Sequence, residues 1–288
     1  MKENLQNKVC LITGATNGIG EEAAKQIALM GAEIVFIARN QTKANQLNET
    51  IKSLTGREST PIIADLSSQS EVKKAAEEFL SLNKPLHILL NNAGIMNTSR
   101  RETVDGLEEV FSVNHLAYYT LTLLLMDKLI ASGPGRIVNV ASGAHMFIKE
   151  INFEDLQSEK EYKTMHVYGQ SKLANILFTR ELSNKVQSKG ITVNCLHPGF
   201  VKTSFGKNNT GVIGLIIKFL MTLFAIKVEE GAETIIYLAT SDNVKNISGE
   251  YFYQSKINKP SNFAENNKSA DDLWDLSLKI LKNNNLTL

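Results

Sequence analysis

Apolar positions along this chain fall into two rhythms. Short, nearly unbroken apolar runs occur at residues 8–13, 33–38, 61–66, 87–91, 136–142, 190–196 and 251–253. Runs of that length bounded by turn residues predict strands buried on both faces, as in a parallel sheet. Between them, apolar residues recur at helical spacing over 21–30, 41–56, 71–82, 105–130, 168–189, 229–241 and 271–282. Strands alternating with helices predict an α/β chain: a doubly wound parallel sheet with helices on both faces. No repeat, low-complexity tract or linker divides residues 1–288, so a single domain is expected.

Two stretches are more apolar than one core face requires. The 105–130 stretch is dense in leucine from Leu116 to Leu129, which a dimer interface or a second covering layer would use. Residues 212–226 are apolar except for a narrow stripe of Gly214, Lys218, Thr222 and Ala225. At 15 residues this stretch is too short to span a bilayer. A buried helix, an apolar lid over a substrate (about 204–228) and a helix touching a membrane surface remain open.

Composition narrows the functional classes. The chain is 43% hydrophobic and 21% charged, with formal net charge +1, which gives no electrostatic case for nucleic acid. Cys10 and Cys195 both lie in apolar runs and read as buried thiols rather than a disulfide or metal site. The start of the chain is polar, and no run reaches the roughly 20 apolar residues of a transmembrane segment. A cytoplasmic enzyme is the expectation.

Candidate chemistry collects where strands end. The segment Thr13-Gly14-Ala15-Thr16-Asn17-Gly18-Ile19-Gly20 lies between the first strand and the first helix. Glycines there let backbone approach a pyrophosphate, whose charge the helix N-terminus stabilises, as in a Rossmann-like dinucleotide site. A site for NAD(H) usually carries an acid near the end of the second strand; here Ala38 is followed by Arg39. Without the carboxylate a 2′-phosphate is not repelled, and a guanidinium can clamp it, which predicts NADP(H) over NAD(H). Asp65 closes the third strand, as an acceptor for an adenine amino group or a cap for the next helix. Asn91-Asn92-Ala93-Gly94 follows the fourth, where small residues suit backbone passing close to a ligand. Asn114 is an amide in an apolar helical stretch, either a structural hydrogen-bonder or the holder of a relay water. Ser142 ends the fifth strand, at the edge where open parallel sheets bind ligands, although serines also cap turns there. Tyr168 and Lys172 are four residues apart and share one helix face. A neighbouring ammonium favours the phenolate, so the pair is expected to exchange a proton near neutral pH.

In order and spacing these motifs resemble the short-chain dehydrogenase/reductase superfamily over nearly the whole length. The carriers are Thr13-Gly14-x-x-x-Gly18-Ile19-Gly20, Asn91-Asn92-Ala93-Gly94, Asn114, Ser142, Tyr168-x-x-x-Lys172 and Pro198-Gly199. Arg39, Phe111-Ser112-Val113-Asn114-His115-Leu116, Asn152-Phe153-Glu154-Asp155-Leu156 and Leu273-Trp274-Asp275-Leu276-Ser277 resemble its retinol dehydrogenase-like branch. Many animal members of that branch begin with an apolar anchor, which this sequence lacks.

The resemblance implies a division of labour. Residues 1–140 mainly bind cofactor, and 141–288 carry catalysis and substrate binding. Tyr168 would be the general acid or base, with Lys172 lowering its pKa and binding the nicotinamide ribose. Ser142 would hold the substrate oxygen, and Asn114 a relay water. Cofactor contacts would come from Gly14, Thr16, Asn17, Gly18, Ile19, Gly20, Arg39, Asn40, Asp65, Leu66, Asn92, Ala93, Gly94, Tyr168, Lys172, Pro198, Gly199, Val201 and Thr203. The implied reaction moves a hydride between NADP(H) and an apolar aldehyde or ketone, or the matching alcohol. A steroid or bulky cyclic ketone is the alternative substrate, and an NADP(H)-binding redox sensor or scaffold the alternative of another class. Relatives of this kind are often homodimers or homotetramers.

Overall fold

The computed structural model describes residues 4–200 and 227–286. Val201, Thr203 and the 212–226 stretch therefore lie outside the described residues. Eight strands form one sheet in the order β3-β2-β1-β4-β5-β6-β7-β8. They are β1 (Val9–Thr13), β2 (Glu33–Ala38), β3 (Thr60–Ile63), β4 (Ile88–Asn91), β5 (Gly135–Val140), β6 (Ile191–Leu196), β7 (Tyr251–Tyr253) and β8 (Lys256–Ile257). β1 to β7 are parallel, and only β8 runs antiparallel to its neighbour. The chain winds outward from β1 to β3, then returns to lay β4 against the other side of β1. That reversal opens a crevice at the carboxyl ends of β1 and β4.

Alternation along each strand supplies both faces of the core. Leu11, Val35, Ile37, Leu89, Ile137 and Val193 pack against the helices Gln69–Ser81, Ala117–Leu124 and Thr164–Val186. Cys10, Ile12, Ile34, Phe36, Leu90, Val138 and Leu196 pack against Gly18–Leu29, Gln41–Thr55 and Val228–Thr240. The doubly wound sheet with helices on both faces is the architecture expected from the sequence. Cys10 and Cys195 are buried free thiols. Among the described residues, no helix is long and apolar enough to cross a membrane.

Four local departures bear on the site. The expected 105–130 helix is broken: Glu109–Phe111 is α-helical, Ser112–Leu116 is a π-helix, and α-helix resumes at Ala117–Leu124 and Met126–Ala131. The helix that carries Tyr168 begins at Thr164 and ends at Val186. β3 stops at Ile63 and β5 at Val140, so Asp65 and Ser142 stand in the turns beyond them. β8 escaped the sequence reading because its hairpin turns on left-handed Gln254 and Ser255 instead of an Asn-Gly pair.

The surplus leucines of the 105–130 stretch are largely buried within the chain. The C-terminal helix Asn267–Asn283 lies over this side, with Trp274, Leu278 and Leu281 joining the same cluster as Tyr119, Leu121 and Phe178. It packs chiefly on Thr164–Val186 and meets the 105–130 stretch at His115 and Tyr119.

Candidate active site

The glycine turn is built against the turn after β4. Gly14 has φ 67°, and a Cβ there would meet the Ala93 Cα at 2.8 Å. At Gly20 a Cβ would lie 2.3 Å from Asn92 Nδ2 and 2.4 Å from the Gly14 carbonyl oxygen. The Asn92 amide donates to the carbonyls of Thr13 (2.9 Å) and Gly14 (3.1 Å). Thr13 Oγ1 in turn accepts from the backbone N–H groups of Asn92 and Ala93. Asn92, expected as a cofactor contact, thus spends its side chain on tying the two turns together. Thr13 belongs to the glycine motif but was not among the expected cofactor contacts, and its hydroxyl braces the turn. Asn17 is the exposed N-cap of Gly18–Leu29 and makes no side-chain cap bond, so the helix start faces the crevice without an internal acceptor of that kind. Thr16 and Ile19 are half-buried in the same turn.

At the end of β2, Arg39 and Asn40 are exposed but differently engaged. Asn40 Oδ1 accepts from the Lys43 N–H at 2.9 Å and caps Gln41–Thr55. Arg39 Nη1 is 3.6 Å from Asp65 Oδ2. Asp65 Oδ1 accepts from the Ser67 N–H at 2.9 Å, closing an Asx turn. The N-cap of Gln69–Ser81 is Ser68, not Asp65. Leu66 points into the core. The end of β2 therefore presents a guanidinium held loosely by one carboxylate, on the sheet edge where the glycine turn lies.

Tyr168, Lys172, Ser142 and Asn114 converge beyond β4 and β5. The Tyr168 and Ser142 hydroxyls lie close enough for Ser142 to act on the ionisation of the phenol, and Ser142 Oγ accepts from the Ala144 N–H at 3.2 Å. Lys172 is buried; its Nζ donates to the Val140 carbonyl at 3.0 Å and sits 5.8 Å from the ring centres of Tyr118 and Tyr168. Asn175 donates to that same carbonyl at 3.2 Å. Asn114, fully buried on the π-helix, accepts from the Ile95 N–H at 2.8 Å and donates to the Ile95 carbonyl and to Ser171 Oγ. The extra residue in that helical turn is what turns the amide toward the β4 loop. A Cβ on Gly94 would lie 3.3 Å from both Asn114 Oδ1 and Lys172 Nζ, so the two side chains flank a backbone kept narrow.

Burial acts on both members of this pair. Desolvation pushes the Tyr168 phenol up to about 12, with the Ser142 hydrogen bond opposing it. Desolvation also pulls the Lys172 ammonium down to about 7. The lysine was expected to lower the tyrosine; desolvation is the largest influence on each of the two groups. Nearby, His197 stacks on Tyr253 at 4.6 Å and accepts from the Gly199 N–H at 3.1 Å. Burial takes its imidazole down to about 4. Pro198 and Gly199 follow it, half-buried, at the end of β6.

Residues 8–211 match the short chain dehydrogenase family. The chain is 39% identical to human retinol dehydrogenase 12 over 278 residues, covering 96% of this chain and 87% of that one. It is 38% identical to the chloroplastic short-chain dehydrogenase TIC 32 B of Brassica napus, covering 94% and 88%. Among solved structures it resembles a short chain dehydrogenase from Burkholderia cenocepacia in complex with NADP. That pair has a TM-score of 0.69 at 26% identity, over 86% of this chain and 96% of the other.

Proposed function

The chain belongs to the short-chain dehydrogenase family, whose oxidoreductases use nicotinamide cofactors, and from that premise we propose an NADP(H)-dependent enzyme for apolar carbonyls. Its reaction would interconvert an apolar aldehyde or ketone and the matching alcohol, with Tyr168 as general acid and base. The observation that carries the proposal is the Tyr168–Ser142 hydroxyl pair, with buried Lys172 behind it, beside the glycine turn on one sheet edge.

The residues present suit the cofactor. Gly14, Gly18 and Gly20 keep the turn before Gly18–Leu29 narrow, and Asn92 braces it. Arg39 can leave its 3.6 Å partner to meet a 2′-phosphate, a bidentate acceptor that outcompetes one carboxylate. Lys172 spends one hydrogen on Val140 and keeps others for ribose hydroxyls. When bound, the nicotinamide supplies the hydride.

The chain's residues handle the proton. Tyr168 holds its proton at neutral pH and can pass it to the carbonyl oxygen that Ser142 Oγ positions. Once the phenol is ionised, its negative charge favours the protonated form of Lys172, which balances it within the buried site. Asn114 holds Ile95 and Ser171, so the β4 loop and the Tyr168 helix stay in register.

Support for an apolar substrate comes from the rim. Met146 and Phe147 follow Ser142, Met165 lies one turn before Tyr168, and Phe200 follows Gly199; all four are exposed. Residues 204–228 would add a lid, and 1–140 and 141–288 would serve as the cofactor and substrate halves. We place the enzyme in the cytoplasm, a proposal that cell fractionation tests. A homodimer or homotetramer remains part of the proposal, with the partly exposed Leu123 and Leu124 available to an interface. NADPH oxidation with a series of aldehydes of rising chain length, retinal and cyclic ketones tests the proposal, with NADH in parallel. NADPH-dependent rates that rise with chain length are expected. Turnover confined to polar carbonyls would overturn the substrate class.

A further inference from the structure

We propose that His145 is a positioning residue: its imidazole pins the backbone of Ser142, and through it the Ser142–Tyr168 hydroxyl pair, to Ser261 in the C-terminal segment. The inference rests on the catalytic reading of Ser142 and Tyr168 given above.

His145 is fully buried in the 3-10 turn Gly143–Phe147, which starts from Ser142. Its Nδ1 lies 2.6 Å from the Ser142 carbonyl oxygen, and its Nε2 lies 3.2 Å from the backbone nitrogen of Ser261. A carbonyl only accepts and a backbone N–H only donates. Nδ1 therefore carries the hydrogen, and Nε2 is the bare acceptor. An imidazolium would set its Nε2–H against the N–H of Ser261, and burial favours the neutral ring as well. The partners leave one tautomer, with Tyr251 packed against the ring at 5.1 Å.

The Ser142 carbonyl also accepts from the His145 backbone N–H at 3.2 Å, so the imidazole adds a second, shorter bond that carries this turn across to Ser261. The residue before Ser142 is fixed by β6, where the Ala141 N–H donates to the Leu196 carbonyl at 2.7 Å. The residue after it is Gly143, where a Cβ would meet the His197 ring at 3.4 Å, so the Ser142–Gly143 peptide runs close beside that ring. Held at its carbonyl by His145, that peptide keeps Ser142 Oγ directed at Tyr168. The turn is also seated on the Tyr168 helix: a Cβ on Gly169 would meet the Ala144 carbonyl and Ile148 at 2.8 Å. A shift of the turn would therefore change the Ser142–Tyr168 relation directly.

Two substitutions separate the two bonds. His145→Asn keeps an N–H near the Nδ1 position for Ser142 and abandons Ser261. His145→Gln reaches Ser261 with its amide oxygen and abandons Ser142. The first arm needs no substrate: nitrogen NMR of the 15N-histidine-labelled full chain should show His145 protonated at Nδ1 and bare at Nε2. An Nε2–H tautomer overturns the proposal. In the second arm, decanal and all-trans-retinal are reduced with NADPH. His145→Gln should lose roughly tenfold or more in kcat with KM for NADPH within about twofold, while His145→Asn stays within about threefold of wild type. Equal kcat in the two variants, or losses that merely follow their melting temperatures, would overturn it. Tyr168→Phe run alongside separates the failures: retained turnover there removes the catalytic reading, whereas an inactive Tyr168→Phe beside a wild-type His145→Gln removes the role of His145 alone. If wild-type protein turns over neither probe, the tautomer decides.

Discussion

Burial sets Tyr168 and Lys172 in opposite senses, so that the phenol keeps its proton while the amine sheds one near neutrality. Replacing Tyr168 with Phe should lower kcat by roughly 10²- to 10⁴-fold, the usual share of a general acid, while NADPH titration finds nearly unchanged affinity. Lys172 gives a prediction whose sign follows from linkage. Its folded pKa, about 7, lies below the ordinary 10.5, so the unfolded chain binds the extra proton more readily. The destabilisation is full below about pH 7 and fades as pH rises toward the unfolded value. Lys172→Met should therefore be more stable than wild type at neutral and mildly acidic pH, by at most roughly 5 kcal/mol at 1.36 kcal/mol per unit. Melting curves across pH should show the gap closing toward alkaline pH; a gap that widened would refute the assignment. Tyr168 and Lys172 were singled out by their spacing together with the order of the other motifs along the chain. Their ionisation was not legible there, because desolvation depends on how completely the fold closes around a side chain, and sequence spacing reports only who the neighbours are.

At the scale of elements, the turn after β1 and the broken helix around Asn114 decide the geometry. In Gly20→Ala a methyl would collide with Asn92 and with the Gly14 carbonyl, so Gly18–Leu29 must move outward. A stability loss of about 1–3 kcal/mol and a markedly weaker NADPH affinity are expected from denaturation and binding curves. The end of β2 allows a sharper separation. Asn40→Ala removes the cap on Lys43 and should cost about 1 kcal/mol of stability with little change in KM for NADPH. Arg39→Ala should leave stability alone and raise KM for NADPH but not for NADH; parallel effects on the two cofactors would sink the 2′-phosphate assignment. Strands 33–38 and 251–253 were readable to the residue, because strands buried on both faces read as near-continuous apolar runs. The π-turn at Ser112–Leu116 was not: the same apolar residues satisfy an α-helix, and only the distant partners Ile95 and Ser171 favour the extra residue.

Across the whole molecule, the Asn267–Asn283 helix closes one side of the sheet over side chains that would otherwise face solvent. Trp274 is packed between Tyr119 (4.9 Å) and Phe178 (6.0 Å), with Lys185 Nζ 4.8 Å from its ring centre. Trp274→Ala should lower stability by roughly 2–4 kcal/mol, because it empties the space between Tyr119 and Phe178. An unchanged melting point would show that this aromatic contact does not hold the last helix in place. The sheet order and its crevice follow from the alternation of strands and helices, whereas the docking of residue 274 onto residue 119 is a contact between distant segments that no local pattern encodes. That docking has an optical consequence. Trp274 is the sequence's one tryptophan, so indole emission from the native protein arises entirely at the seam between the last helix and the helices Ala117–Leu124 and Thr164–Val186. Stopped-flow emission then reports undocking of that helix, circular dichroism reports loss of the sheet, and the order of the two events can be timed without any added label.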